Sequence, residues 1–200
     1  MTQIKLCGLR RPEDIEAANL LKPEYIGFVF AKKSKRYVDP ETALSLKKAL
    51  DSSIKAVGVF VNEEFSTVAE LLNRGVIDIA QLHGSESDEY IEELKKNTGK
   101  TVIRAFKITS QEDVTKAVDS PADYILLDAG AGDGVTFDWS VVNNVERPFF
   151  LAGGLGPENV TDAIRAVKPF AVDVSSGIET DGFKDKDKMT AFVTAVRKEQ

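Results

Sequence analysis

The chain has 200 residues, with one cysteine, one histidine and a formal net charge of −6. Hydrophobic residues make up 42% and charged residues 29%. That is the balance of a globular protein, so disordered and fibrous architectures are excluded. The lone Cys7 excludes an intramolecular disulfide framework, one Cys with one His speaks against a structural metal site, and the acidic balance speaks against a nucleic-acid partner.

Strand-like runs alternate with amphipathic stretches along the whole chain. In order, the runs are Ile4–Cys7, Tyr25–Phe30, Lys55–Phe60, Ile77–Gln81, Thr101–Phe106, Tyr124–Asp128, Phe149–Ala152 and Phe170–Val174. Helix starts are marked between them. Pro12-Glu13, Pro40-Glu41 and Pro157-Glu158 place proline and acid where a first turn accepts both. Thr109-Ser110-Gln111-Glu112 resembles a capping box. The longest apolar runs, Tyr25 to Ala31 and Ala56 to Val61, are strand-sized, so no membrane span is expected. The start of the chain shows no apolar leader, and the expected compartment is cytoplasmic.

Eight strands, each followed by a helix, predict a parallel sheet with right-handed crossovers. At roughly 25 residues per unit they point to a single-domain (β/α)8 (TIM) barrel over residues 1–200, at the short end of that fold's size range. An open doubly wound sheet is the alternative.

A barrel carries its chemistry at the C-terminal ends of its strands. Cys7 ends the first strand. A lone cysteine is ordinarily a small buried hydrophobe, but Lys5 points to the same side of the strand and would favour a thiolate usable as base or nucleophile. Asp128 ends the sixth strand after four apolar residues. It reads as a helix cap, a loop ion pair, or a general acid across the barrel mouth from Cys7. Gly153-Gly154 after strand seven and Ser176-Gly177 after strand eight stand where barrels bind phosphate. Together they imply a small phosphorylated substrate.

Arg36 is a solvated loop charge or a fork for a substrate carboxylate. His83 shapes the pocket wall, and Asp173 is placed to pair with Lys5 across the first and last strands. Lys107 offers a Schiff-base alternative of the aldolase type, for which Lys5 is the second candidate. A non-catalytic barrel that keeps the phosphate loops is a further alternative. Gly130-Ala131-Gly132-Asp133-Gly134 reads as a loop over the site, because Val135 breaks the dinucleotide fingerprint.

Taken together, Lys5-Leu6-Cys7-Gly8, Gly27-Phe28-Val29-Phe30, Ser34-Lys35-Arg36-Tyr37-Val38, Gln81-Leu82-His83-Gly84, Leu126-Leu127-Asp128, Gly134-Val135-Thr136-Phe137-Asp138-Trp139, Leu151-Ala152-Gly153-Gly154-Leu155 and Asp173-Val174-Ser175-Ser176-Gly177-Ile178-Glu179 resemble the phosphoribosylanthranilate isomerases of tryptophan biosynthesis. The resemblance runs essentially end to end. It implies a single-domain barrel that converts N-(5-phosphoribosyl)anthranilate to 1-(2-carboxyphenylamino)-1-deoxyribulose 5-phosphate by an Amadori rearrangement, without cofactor or metal. It implies Cys7 as general base, Asp128 as general acid and Arg36 as partner of the anthranilate carboxylate. His83 and Asp173 join Arg36 as substrate-binding residues. Gly153, Gly154, Ser176 and Gly177 would hold the phosphate on their backbone. Val135 and Ala131-Gly132 depart from the family's usual loop, which touches loop behaviour and rate and not the reaction. Oligomeric state is not read from the sequence.

Overall fold

Alternating side chains decide what each strand gives to the two faces of the sheet. The computed structural model describes residues 1–128, 139–142 and 145–199. Its strands are β1 (Gln3–Cys7), β2 (Tyr25–Val29), β3 (Lys55–Phe60), β4 (Ile79–Leu82), β5 (Thr101–Lys107), β6 (Tyr124–Asp128), β7 (Phe149–Ala152) and β8 (Ala171–Val174). They form one closed parallel barrel in chain order, with Lys5 in register with Asp173 where β1 meets β8. The closed ring settles the choice between barrel and open sheet.

The helices are α1 (Pro12–Leu21), α2 (Pro40–Ala49), α3 (Phe65–Asn73), α4 (Asp88–Thr98), α5 (Gln111–Val118), α6 (Val160–Val167) and α7 (Lys186–Lys198). Two of the three proline-acid pairs open helices as expected, at Pro12 and Pro40. The third does not. Pro157-Glu158 lie in a turn and α6 begins at Val160, because the Asn159 side chain is tied to the preceding loop. The capping box of α5 is shifted by one residue: Ser110 exchanges hydrogen bonds with Asp113, in place of Thr109 with Glu112. Between β6 and β7 the described residues hold a short 3-10 helix, Trp139–Val142, and no α-helix. The expected loop at Gly130–Gly134, with Val135, lies outside the described residues.

Outward-facing residues such as Ile4, Leu6, Ile26, Phe28, Ile125 and Leu127 are fully or almost fully buried under the helices. Inward-facing residues fill the barrel in layers. Tyr25, Tyr124, Phe150 and Phe170 floor it with ring contacts 5.0 to 5.8 Å apart, each such pair worth about 0.5–1.5 kcal/mol beyond its buried area. Above them lie Val57, Ile103 and Leu126.

One device recurs three times at the floor. An acid just before an even-numbered strand accepts the N–H near the start of the preceding strand: Glu24 from Ile4 at 2.8 Å, Asp78 from Ala56 at 2.7 Å, Asp123 from Val102 at 2.8 Å. Each acid is paired with a helix cation: Arg197 at 2.6 Å, Lys47 at 2.5 Å and Lys95 at 2.9 Å. The floor is therefore the structural end of the barrel, and the opposite rim is left for chemistry.

After β8 the chain makes a 3-10 turn, Ser176–Ile178, and then a small antiparallel hairpin of β9 (Glu179–Thr180) and β10 (Phe183–Lys184). Its two turn residues, Asp181 and Gly182, have φ of 52° and 77°, as a two-residue type I′ hairpin requires. No helix among the described residues is long and apolar enough to cross a membrane.

Candidate active site

The inward period of the strands carries one set of side chains to the C-terminal rim. Cys7 of β1, Gln81 of β4, Asp128 of β6 and Asp173 of β8 line a cavity of about 390 Å³, joined by Arg36 from the loop after β2 and His83 from the loop after β4. Gly153, Gly154, Ser175 and Ser176 form another wall. Of the expected site residues, all but Gly177 line this space.

Below Cys7, the fully buried Lys5 places its ammonium 2.9 Å from Asp173 Oδ2. The predicted pairing is thus observed. Burial works against the charge of Lys5, but the Asp173 carboxylate and the Cys7 sulfur together hold the lysine above its ordinary pKa. For Cys7 the balance is the reverse of the sequence expectation. Burial pushes the thiol up, and the opposing pull of Lys5 is too small to compensate, so the resting group is a thiol and not a thiolate. Gly27, in register with Cys7, leaves the sulfur its space: a Cβ there would stand 2.7 Å from Sγ.

Asp128 stands at the end of β6 with Oδ2 3.4 Å from His83 Nε2, while His83 Nδ1 lies 3.3 Å from the amide nitrogen of Gln81. Among the described residues, two buried acceptors at the cavity find no hydrogen-bond donor, Gln81 Oε1 and Asp173 Oδ1. A buried acceptor without a donor is costly, so both suit hydroxyl or amine donors of a ligand.

The two glycine loops meet at the rim. Gly153 and Gly154 take φ of 95° and 65°, a backbone region that glycine enters freely. Asn159 braces this loop by donating to the Gly154 carbonyl and accepting from the Gly156 N–H, each at 2.9 Å. Gly177 stands behind Ser176, where a Cβ would collide with the Leu155 carbonyl. Its role is to let the two loops touch.

Arg36 is no solvated loop charge. Its Nε and Nη2 donate to Glu179 at 2.6 and 2.8 Å, and Glu179 also accepts from Lys184 at 2.8 Å. The sequence reading missed this acid and this lysine, as it missed Asn159 and the use of Gln81. A local signal existed in Asp181-Gly182, the strongest short hairpin dipeptide. Lys107 is exposed at the end of β5 and away from the cavity lining, while Lys5 is sealed beneath Cys7. The burial of Lys5 tells against it as a Schiff-base lysine for a ligand in this cavity. No cluster of metal-ligating side chains occurs among the described residues.

A closed eight-stranded barrel, with titratable groups and glycine loops gathered at one rim, defines a barrel enzyme. A family model described as N-(5'phosphoribosyl)anthranilate (PRA) isomerase matches residues 4–195. The chain belongs to this family. It is 47% identical to the N-(5'-phosphoribosyl)anthranilate isomerase of Clostridium acetobutylicum, over 99% of both chains. The enzyme of the same name from Acetivibrio thermocellus is 46% identical, over 98% of this chain and 96% of that one. Among solved structures, phosphoribosyl anthranilate isomerase from Thermotoga maritima superposes with a TM-score of 0.92 at 37% identity, covering 99% of this chain and 100% of that one. A second, a phosphoribosyl anthranilate isomerase in complex with reduced 1-(o-carboxyphenylamino)-1-deoxyribulose 5-phosphate, gives 0.90 at 37% identity, over 99% and 100%.

Proposed function

We propose that the cavity at the C-terminal rim isomerises N-(5-phosphoribosyl)anthranilate to 1-(2-carboxyphenylamino)-1-deoxyribulose 5-phosphate, the isomerase step of tryptophan biosynthesis, with Cys7 as base and Asp128 as acid. The observation that carries the assignment of roles is that these two groups, from β1 and β6, face one cavity that the glycine loops also wall.

In this reading Asp128 gives its proton to the furanose ring oxygen as the bond from that oxygen to C1 breaks. The anilino nitrogen supplies the electron pair, and a protonated Schiff base results. Cys7 then takes the C2 proton. The electrons of that C–H bond form the C1=C2 double bond and neutralise the iminium, giving an enolamine that tautomerises to the ketone. The resting thiol is held protonated by burial. The iminium made in the first step adds a cation that favours the thiolate, so ring opening prepares the base for its turn.

Arg36 receives the anthranilate carboxylate. Ribose hydroxyls supply donors to Asp173 Oδ1 and Gln81 Oε1, and His83 borders the acid. The phosphate rests on the backbone of Gly153, Gly154 and Ser176, with Gly177 behind them letting the two loops meet. Residues 1–200 act as one catalytic domain, and the cytoplasm, where relatives of this name would make amino acids, is its compartment.

The direct test generates phosphoribosylanthranilate in situ and follows loss of its fluorescence. Enzyme-dependent loss with formation of the ketose is the expected result. Purified folded protein that leaves the substrate unchanged would overturn the reading.

A further inference from the structure

We infer that Glu179 is a positioning residue for carboxylate recognition: paired with Lys184 on the β9–β10 hairpin, it fixes the Arg36 guanidinium at the cavity wall. This rests on the reading of Arg36 as the partner of the anthranilate carboxylate.

The geometry is that of a built device. Both oxygens of Glu179 are engaged by the Arg36 fork, at 2.6 and 2.8 Å. The Glu179 and Lys184 side chains are only 7% and 2% exposed, against 20% for Arg36. They are cross-strand neighbours, in register on the hairpin. The hairpin is itself pinned to the loop between β1 and α1. Arg10 and Arg11 stand over the Phe183 ring, each 4.8 Å from its centroid, and Arg11 donates to the Lys184 carbonyl at 2.8 Å.

Charge counting explains why a lysine is buried there. An Arg36–Glu179 pair alone is neutral, which weakens its pull on a substrate carboxylate. Lys184 returns the group to one net positive charge; burial pulls its ammonium below the ordinary lysine pKa, and the Glu179 carboxylate opposes that pull. Burial pulls the Glu179 carboxyl upward, yet hydrogen bonds from Arg36 and Lys184 hold it at about 2, so it stays ionised. A guanidinium has five N–H donors in a rigid fork. Nε and one Nη2 hydrogen face Glu179, which leaves Nη1 and the other Nη2 hydrogen for a ligand. Lys184 also donates to the Ser175 carbonyl at 2.9 Å, and Ser175 Oγ donates to the Cys7 carbonyl at 3.1 Å. The carboxylate subsite is thereby set in a fixed relation to the strand end that carries the base.

The test compares two substrates made in situ, phosphoribosylanthranilate and its aniline counterpart without the carboxylate. Glu179→Gln/Lys184→Met keeps the group at one net positive charge but removes the brace on Arg36, so it should raise KM for the first by roughly 10-fold or more, the size of one charge-assisted hydrogen bond. It should move kcat less, and should leave KM for the aniline compound within about 2-fold. Glu179→Gln is measured beside it; it adds a net positive charge as it removes the brace, so a smaller rise in KM for the first substrate is expected there. Arg36→Met is the control for the underlying reading. If Arg36→Met discriminates between the two substrates and both Glu179 variants weaken them equally or not at all, the positioning role is wrong and the reading of Arg36 stands. If Arg36→Met itself does not discriminate, both fail.

Discussion

No side chain fits between Gly27 and Cys7, since a Cβ on residue 27 would lie 2.7 Å from the sulfur and 3.1 Å from the Cys7 Cα. Strand β2 thus keeps one position empty so that the thiol of β1 can sit where it does. Gly27→Ala should displace Sγ while the barrel still closes. Misplacing a reacting group by about 1 Å costs on the order of 10²-fold in rate, so kcat should fall by that order. Full turnover in a folded Gly27→Ala variant would show that the position of the sulfur is not critical.

Cys7 itself should be indispensable to the rate. Cys7→Ser places a far weaker base at the site, and kcat should collapse with the far-ultraviolet spectrum unchanged. The pH profile carries the sign of the burial effect. The reactive form is the thiolate, and burial raises the thiol pKa, so the acidic limb of kcat/KM should lie above that of a free thiol and activity should climb as pH rises toward it. A limb in the carboxylate range would remove Cys7 from the role of base.

Asp128→Asn keeps the shape of the acid but has no proton to give. Loss of general acid catalysis costs about 10²–10⁴-fold, and it should appear in kcat more than in KM because proton donation matters chiefly in the transition state. A rise in KM alone, with kcat intact, would make Asp128 a binding residue and leave His83, 3.4 Å away, as the next candidate acid.

The buried Lys5–Asp173 pair should behave asymmetrically toward mutation. Removing one partner strands a charge and costs about 3–5 kcal/mol, whereas replacing both by apolar residues of similar volume is far milder. In urea, Asp173→Leu should therefore unfold well before Lys5→Met/Asp173→Leu. Because Asp173 raises the lysine's pKa, this contribution is fully present below the unfolded lysine pKa. It fades only as pH rises through the higher folded value. Equal midpoints for the single and double variants would deny the coupling.

At the glycine loops, inorganic phosphate should inhibit in competition with substrate. Gly154→Asp should abolish substrate binding by setting a carboxylate against the phosphate. Retained KM in Gly154→Asp, or inhibition by phosphate that is not competitive, would move the anion site elsewhere.

The barrel was legible because β-strand alternation and helix punctuation are local signals. The eight strands were placed to within two residues at each end, and Cys7, Asp128 and Arg36 announced themselves as polar residues at strand ends or in the loops beyond. What escaped was non-local. Glu179 acquires its meaning only through Arg36, 143 residues earlier in the chain, and its hairpin strands are two residues long, too short for any periodicity. Asn159 carries no local signal of its role, and only the folded loop shows it holding Gly154 and Gly156. The state of Cys7 was misjudged for a related reason. The charge of Lys5 can be read from spacing, but the desolvation that overrides it depends on how tightly the finished barrel closes.

The three acid clips at the barrel floor also divide the chain. Each joins a strand to the next one, so β1–β2, β3–β4 and β5–β6 are covalently local pairs whose clip partners lie 20 to 22 residues apart. Met1 and Glu199 border the same surface depression at that end, so this chain lends itself to circular permutation. Ends joined and reopened near Ser52, between two pairs, would leave every clip within a continuous stretch. Reopening near Arg74, inside the second pair, would set Ala56 and Asp78 almost a whole chain length apart, and raise the loop-closure cost of remaking that contact. The same barrel, cut at these two points, would have two different folding problems.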